Sequence, residues 1–336
     1  MSWLGLDIGG ANLKIADHGT FAHAVRFALW RHPDRLGRAL ADLLSVSPHA
    51  DSLAITMTGE LADCFASKAD GVRHILQAVS HAAPKLLVRV YLTDGRFVSL
   101  EEAAQQPHRA AASNWHALAR FASRLFPSRL GLVLDVGSTT TDMIPVCNGQ
   151  PLVARADDTS RLMEGTLVYS GVLRSPVCAL AHEVRYRGSV CPLAQEIFAH
   201  TRDVYVLLGQ LDEDPDDCET ADGQPLTRAA ARLRLARSVC ADGTNFHGRD
   251  AAAMAQELAA AQQAQLLARL RLVLDRLSTA PASIVLCGQG EFLARQVLQQ
   301  VGLSAEVLSL SEQIGERSSR CAPAHAVAAL AWEEHG

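Results

Sequence analysis

Two aspartates, Asp7 and Asp135, each close an apolar run and are each followed by a turn of small residues. The first stretch reads Trp3-Leu-Gly-Leu-Asp7-Ile-Gly9-Gly10-Ala-Asn12-Leu-Lys14-Ile-Ala16. The second reads Leu130-Gly-Leu-Val-Leu-Asp135-Val-Gly137-Ser138-Thr139-Thr140-Thr141-Asp142, and a new run, Met143-Ile-Pro-Val146, follows it. Apolar strand, acid, glycine turn and second strand spell a β-hairpin twice over. Gly9, Gly10 and Gly137 permit positive φ, so successive N–H groups can curl into an anion cradle. Asn12, Ser138, Thr139 and Thr140 add side-chain donors, and Lys14 adds a point charge for phosphate. Asp7 and Asp135, at the strand ends, suit Mg²⁺, a hard cation that prefers carboxylate and phosphate oxygens. A third turn, Cys287-Gly288-Gln289-Gly290-Glu291, follows the apolar Ile284–Leu286, and Gly288 and Gly290 are read as further phosphate contacts. One such turn is no more than a polar hairpin tip. Three at strand ends point to a nucleotide- or diphosphate-binding cleft between two similar halves.

Other chemistry-bearing residues fall outside these turns. Glu60 and Asp63 stand just past the predicted strand Ser52–Thr58, on the same edge as the first loop. A carboxylate there acts as a general base or reaches a metal through water, with a solvated pair as the plain alternative. Asp142 either faces the ligand or pairs with N–H groups of its own loop. Arg174 either clamps an anion or packs against the acidic stretch Asp212–Pro225, itself read as a solvated loop, with a metal site as the alternative. The 13 histidines show no metal-ligand spacing, and the eight cysteines include no Cys-x-x-Cys. Free thiols are therefore expected rather than a disulfide framework or zinc ribbon.

These residues need strands and helices to position them. A third strand is predicted at Phe21–Arg26, a helix at Pro33–Leu44 with Leu36, Leu40, Leu43 and Leu44 on one face, and a helix near Gly71–Ala83. The strand Leu87–Leu92 and an Ala-rich helix from Asn114 to Phe126 follow, with Pro127 marking a domain junction. The second half starts with the second hairpin, continues through long helices near 226–239 and 249–277, and has strands at Ile284–Gly288 and Glu306–Leu310. A helix from Pro323 through Trp332 closes the chain. The expected domains are 1–127, 128–322 and a C-terminal helix, 323–336, packing back on its neighbour.

The 336-residue chain, 49% hydrophobic and 20% charged, has room for two domains around a large core. A net charge of −5 without a basic block gives no support to a nucleic-acid or acidic-membrane partner. Neither a signal peptide nor a membrane-spanning run is read, so a cytoplasmic location is expected. Homo-oligomerisation stays open.

The arrangement resembles the superfamily of acetate and sugar kinases, heat-shock chaperones and actin. Its members clamp a phosphorylated ligand and Mg²⁺ between duplicated ribonuclease-H-like domains. Asp7–Lys14 matches the first phosphate loop, Asp135–Asp142 the second, and Gly288–Glu291, more loosely, the third turn. The resemblance implies an α/β fold of two such domains facing across a ligand cleft. Longer words narrow it: Asp7–Lys14, Met57-Thr-Gly-Glu60-Leu-Ala-Asp63-Cys-Phe65, Asn114-Trp-His-Ala-Leu-Ala119, Asp135–Asp142 and Ser170-Gly-Val-Leu-Arg174-Ser-Pro-Val-Cys-Ala-Leu180. Together they resemble the hydantoinase/oxoprolinase-like proteins linked to the tetrahydromethanopterin one-carbon pathway, a group that includes a synthase of methanofuran biosynthesis. True hydantoinases and oxoprolinases are longer and usually carry an acid where this chain has Lys14, which argues against ATP-driven ring opening. The resemblance implies a transferase that joins (5-(aminomethyl)furan-3-yl)methyl diphosphate to the phenol oxygen of γ-glutamyltyramine or a tyrosine-derived analogue, releasing diphosphate. Its product would be a methanofuran or methylofuran precursor. On that reading Asp7, Glu60 and Asp135 are catalytic, Asp7 and Asp135 hold Mg²⁺, and the partners are a furan diphosphate and a phenol. An ATP-dependent small-molecule kinase and a non-catalytic nucleotide-binding regulator would use the same loops.

Overall fold

The computed structural model describes residues 2–126 and 130–336, so the junction expected at Pro127 lies outside the described residues. The chain forms two main mixed sheets. In the first, β1 (Trp3–Ile8), β2 (Asn12–Asp17) and β3 (Ala22–Arg26) form an antiparallel meander. Next, β4 (Ser52–Met57) and β5 (Leu87–Tyr91) add parallel to β1, and β6 (Phe97–Val98) closes the order β3-β2-β1-β4-β5-β6. Both β1 and β4 are buried along their whole length, as expected of central strands covered on both faces.

The second sheet repeats the plan. β7 (Leu130–Val136) and β8 (Thr141–Cys147) form an antiparallel hairpin, extended at its far end by β9 (Gln150–Pro151) and flanked by the short β10 (Leu167–Val168). A small separate hairpin, β11 (Glu183–Tyr186) and β12 (Ser189–Pro192), intervenes. Then β13 (Ser283–Cys287) adds parallel to β7, and β14 (Glu306–Ser309) parallel to β13, for the order β10-β8-β7-β13-β14. The fold is α/β, with two ribonuclease-H-like sheets.

The long helix Gly248–Leu274 covers the second sheet through Met254, Leu258, Leu266 and Leu270. The last helix, Ala322–His335, lies on the first sheet instead: Val327, Leu330 and Ala331 cluster with Trp3 and Ala54, and Ala324 with Ala16 and Ala22. Its first residue, Ala322, reaches the cluster of Val133 and Val285 under the second sheet. The predicted helix 114–126 is shorter than expected: it runs from Asn114 to Ala122 and tightens into a 3₁₀ turn, Ser123–Leu125. No described helix is long and apolar enough to cross a membrane.

The acidic stretch is largely exposed, as expected of a solvated loop, but two of its acids are held by ion pairs. Asp217 is buried and accepts from Arg26 at 2.6 Å and from Arg202 at 3.2 Å, while Asp222 accepts from Arg234 at 3.0 Å and Arg237 at 2.7 Å. Arg26 lies 191 residues away in sequence, which hid its pairing, whereas Arg202, Arg234 and Arg237 lie 12 to 15 residues from their acids.

Candidate active site

Register places the acids. In the first hairpin Asp7 is opposite Lys14, and in the parallel direction Asp7 is level with Thr56. In the second, Asp135 is opposite Asp142 and level with Cys287. Directly opposed residues of an antiparallel pair share a sheet face, so each aspartate is matched with one charged neighbour. The turns are equivalent: Gly9 N–H donates to Asn12 O at 3.0 Å, and Gly137 N–H to Thr140 O at 2.9 Å. Among the described residues, the N–H groups of Gly10, Ala11, Ser138 and Thr139 find no protein acceptor. A Cβ on Gly10 would meet nothing within 4 Å, so this part of the loop borders open space. The two loops thus present unused donors, which is what an anion cradle requires.

The loops face one another closely enough for their charges to be felt across the gap. Asp7 is buried and burial raises its pKa, against the lowering pull of Lys14; its Oδ1 is sealed from solvent with no hydrogen-bond partner. Asp135 keeps partial solvent access, yet burial of its carboxyl pushes the pKa up to about 7. Asp142 and Asp7 raise it further, and Lys14 lowers it. Two adjoining carboxylates, one with a buried orphan oxygen and both disfavoured as anions, form a donor set that suits a divalent cation completed by water. Among the described residues no group of three His, Cys, Asp or Glu side chains converges on a metal, so a cation held here would rest on two acids.

Asp142 has a structural partner. Burial raises its pKa and Arg161 lowers it; Arg161 Nη2 donates to its Oδ1 at 2.5 Å and to Thr166 O at 3.0 Å. The Arg161 guanidinium lies 4.0 Å from the ring centroid of Trp115, which comes from the helix Asn114–Ala122 of the first half. Its own loop's N–H groups, the sequence alternative, are not what Asp142 binds.

The third turn comes close to Asp135. Gly288 has φ +85°, and a Cβ there would collide with Asp135 Oδ1 and Val136 O. Gly290 N–H donates to Val136 O at 2.9 Å and leads into the helix Glu291–Val301. The glycines therefore let the turn press onto the strand that carries Asp135.

Glu60 belongs to a second cluster. It sits in the 3₁₀ turn Gly59–Leu61, and Thr58 N–H donates to Ile8 O at 2.9 Å, which ties that turn to the first loop. Burial lifts the Glu60 pKa to about 7; its own N–H, Lys68 and the Ala112 N–H lower it, and Asp158 raises it. Its Oε2 is buried without a partner. Lys68 and Asp158, from opposite halves, pair with each other. Ala112, at φ +48°, holds the left-handed conformation that a non-glycine residue adopts only under constraint. Ser113 continues from it to Thr56, the residue level with Asp7, by a 2.7 Å hydroxyl contact. So Asp7, Lys14, Asp135 and Gly288 converge, with Glu60 alongside them rather than among them. Asp63, its sequence companion, is exposed.

Sequence reasoning missed the floor of the second loop. Val172 N–H donates to Gly137 O at 3.1 Å, and Leu173 and Arg174 N–H groups both donate to Ser138 O at 3.0 Å. A Cβ at Gly171 would lie 2.6 Å from Gly137 O, so only glycine lets this segment underpin the loop. Thr141 Oγ1 donates to Ser170 O at 2.7 Å, and buried Gln262 donates to Ser170 Oγ and Gly171 O, both at 2.9 Å. The available signal was the word Ser170–Gly171 itself, quoted only for its resemblance.

Comparison with known proteins places the chain in a family. The hydantoinase/oxoprolinase family model matches residues 51–334. A protein of Methanocaldococcus jannaschii described as (4-{4-[2-(gamma-L-glutamylamino)ethyl]phenoxymethyl}furan-2-yl)methanamine synthase is 34% identical over 333 residues, covering 97% of this chain and 96% of that protein. One from Methanococcus vannielii with the same description is 27% identical over 205 residues, covering 60% and 91%. Among solved structures, nucleotide-free acetone carboxylase superposes with a TM-score of 0.58 at 13% identity, over 98% of this chain and 70% of its own. A chain of the PilM–PilN type IV pilus biogenesis complex does so at 0.53 and 14%, over 98% of each. The solved structures are similar in fold alone. On the length and identity of the sequence matches, the chain belongs to the hydantoinase/oxoprolinase family.

Proposed function

We propose that the protein is a transferase of methanofuran-type cofactor synthesis. It joins an aminomethylfuran-methyl diphosphate to a phenol, that of γ-glutamyltyramine or a tyrosine-derived analogue, and releases diphosphate. The observation that carries this reading is the 34% identity, over nearly the whole of both chains, to a synthase whose named product is a phenoxymethylfuran. The ether in that name implies that a phenol oxygen becomes bonded to a furan-borne CH₂.

In the reaction the CH₂–O bond to diphosphate breaks and its electron pair leaves with the diphosphate. The phenol oxygen forms the new bond to CH₂, and the phenol proton passes to a base. The furan stabilises positive charge on CH₂, so the demand falls on the leaving group, where negative charge grows. The unused N–H groups of Gly10, Ala11, Ser138 and Thr139 give that charge preorganised donors, and Asn12, Thr140 and Lys14 stand on the same two loops. Asp7 and Asp135 would hold Mg²⁺, which when bound supplies Lewis-acid neutralisation of the diphosphate. Gly288 and Gly290 let the third turn hold Asp135 in place. Glu60, with a pKa near 7 and a free buried oxygen, has the proton affinity of a base working at neutral pH.

The test is direct. Purified protein, Mg²⁺ and the furan diphosphate are incubated with a panel of phenols, and diphosphate and ether are both quantified. Stoichiometric release with one phenol supports the reading; phosphate transfer from ATP to an acceptor replaces it with a kinase.

A further inference from the structure

Arg174 is a cation close to both loops without a carboxylate partner among the described residues. Four further arginines are committed: Arg26 and Arg202 to Asp217, Arg161 to Asp142, and Arg234 to Asp203 and Asp222, whereas Arg31, beside Trp30, shows no carboxylate partner among the described residues either. The Arg174 guanidinium instead lies 5.1 Å from the ring centroid of Trp30, a residue of the opposite half. Each end of this stack is tied to a phosphate loop. Arg174 N–H donates to Ser138 O at 3.0 Å, and Leu29, next to Trp30, donates to Gly10 O at 2.9 Å. Arg174 is exposed, so a cation–π contact with Trp30 is weak enough to exchange for a stronger anionic partner.

We propose that Arg174 is the clamp for the terminal phosphate of the diphosphate substrate, resting on Trp30 until that phosphate arrives. This rests on the transferase reading and names a residue for it that neither the loops nor the two aspartates supply. The charge balance points the same way. A diphosphate brings several negative charges to a site already holding Asp7 and Asp135. Lys14 is the cation that faces both of those carboxylates, so its charge is largely spent on them. A planar guanidinium can meet two oxygens of the terminal phosphate at once, which a lysine cannot.

The experiment titrates Mg²⁺–diphosphate, and separately inorganic monophosphate, into the full-length protein by calorimetry. Wild type, Arg174→Ala and Arg174→Lys are compared, with Trp30 emission taken as the difference between wild type and Trp30→Phe. Expected are at least a tenfold loss of diphosphate affinity in Arg174→Ala, partial recovery in Arg174→Lys, and monophosphate affinity within twofold throughout. Trp30 emission should change when diphosphate draws the guanidinium away. Unchanged diphosphate affinity in folded Arg174→Ala overturns the clamp, as does an equal loss for both anions. Should Arg174→Ala fail to fold, a Trp30 signal that ignores diphosphate overturns it, and a responsive one supports it. A wild-type protein that binds no diphosphate removes the transferase reading along with the clamp, whereas failure of the variant alone leaves that reading standing.

Discussion

The two hairpins share a backbone and differ in charge. Gly9 and Gly137 close the same turn, on to Asn12 and Thr140, at the ends of strands that hold equivalent places in their sheets. Opposite Asp7, however, stands Lys14, and opposite Asp135 stands Asp142. The first hairpin thus carries its own counter-charge, while the second takes one from outside itself, Arg161 of the helix Asp158–Glu164, held on Trp115 from the first half. The comparison teaches that duplication supplies the anion cradle twice, whereas the departures from symmetry set the proton affinities. They leave Asp135 near 7, between two like charges, and place a second buried acid, Glu60, beside the first loop only.

Breaking that asymmetry should have graded effects. The largest is expected at Glu60, whose positional counterpart in the second half, Glu291, is instead paired with Arg295 and Ser309. Glu60→Gln should slow ether formation roughly 100- to 10,000-fold at neutral pH while diphosphate binding is kept. Glu60 acts as a base only when deprotonated, so wild-type kcat/KM should rise with pH up to about 7 and then level. At Mg²⁺ concentrations that keep Asp7 and Asp135 deprotonated, that limb should vanish in Glu60→Gln, and the deficit should narrow toward the phenol pKa of about 10. A variant keeping the wild-type profile would remove Glu60 from the chemistry.

Asp142 tests the counter-charge drawn from outside the second hairpin. Asp142→Ala leaves the Arg161 guanidinium buried and without its carboxylate, at a cost of about 3 to 5 kcal/mol in denaturant unfolding. Asp142→Ala with Arg161→Leu should regain much of this, and a double variant as unstable as the single would contradict the pairing. Next come the metal acids. Asp135→Asn and Asp7→Asn should each raise the barrier by about 3 to 4 kcal/mol, a rate loss in the hundreds, with the fold intact. A large difference between the two would mean that the acids do not share one ion.

Lys14→Met should have a smaller effect. Without that charge the pKa values of Asp7 and Asp135 both rise, so about a tenfold loss at pH 7 should shrink by pH 9. The smallest effect concerns stability. Carboxyls raised by burial keep their protons in the folded state above the pH at which the unfolded chain releases them. Metal-free stability should therefore fall as pH rises from about 4 through about 7. Mg²⁺ should stabilise the protein by a few degrees more at pH 8 than at pH 6, read as a shift in Tm. Equal shifts at both pH values would count against the metal site.

Both hairpins were legible because their signal is local: apolar run, acid and glycine turn lie within a dozen residues. The third turn and the central strands β4 and β13 were legible for the same reason. The partner of Asp142 was not, because Arg161 and Trp115 reach it from a different helix and a different half. Distance in sequence also hid the tie between Asp217 and Arg26, and the floor that Gly171 and Gln262 build beneath Ser138. The helix end at Ala122 rather than Phe126 falls where the helix tightens into 3₁₀ geometry, a boundary that periodicity does not resolve. Glu60 was placed correctly beside the first loop, but its company of Lys68 and Asp158 appears only in three dimensions.

The central claim is that carbon–oxygen cleavage, not phosphoryl transfer, occurs between the two loops. The most direct measurement uses the furan diphosphate carrying ¹⁸O at its bridging position, with Mg²⁺ and the phenol, and mass spectrometry of both products. The account predicts that all label leaves with the diphosphate and that the ether oxygen is the phenol's own. Label retained on the furan carbon would contradict it, as would phosphate appearing on an acceptor with ATP as donor.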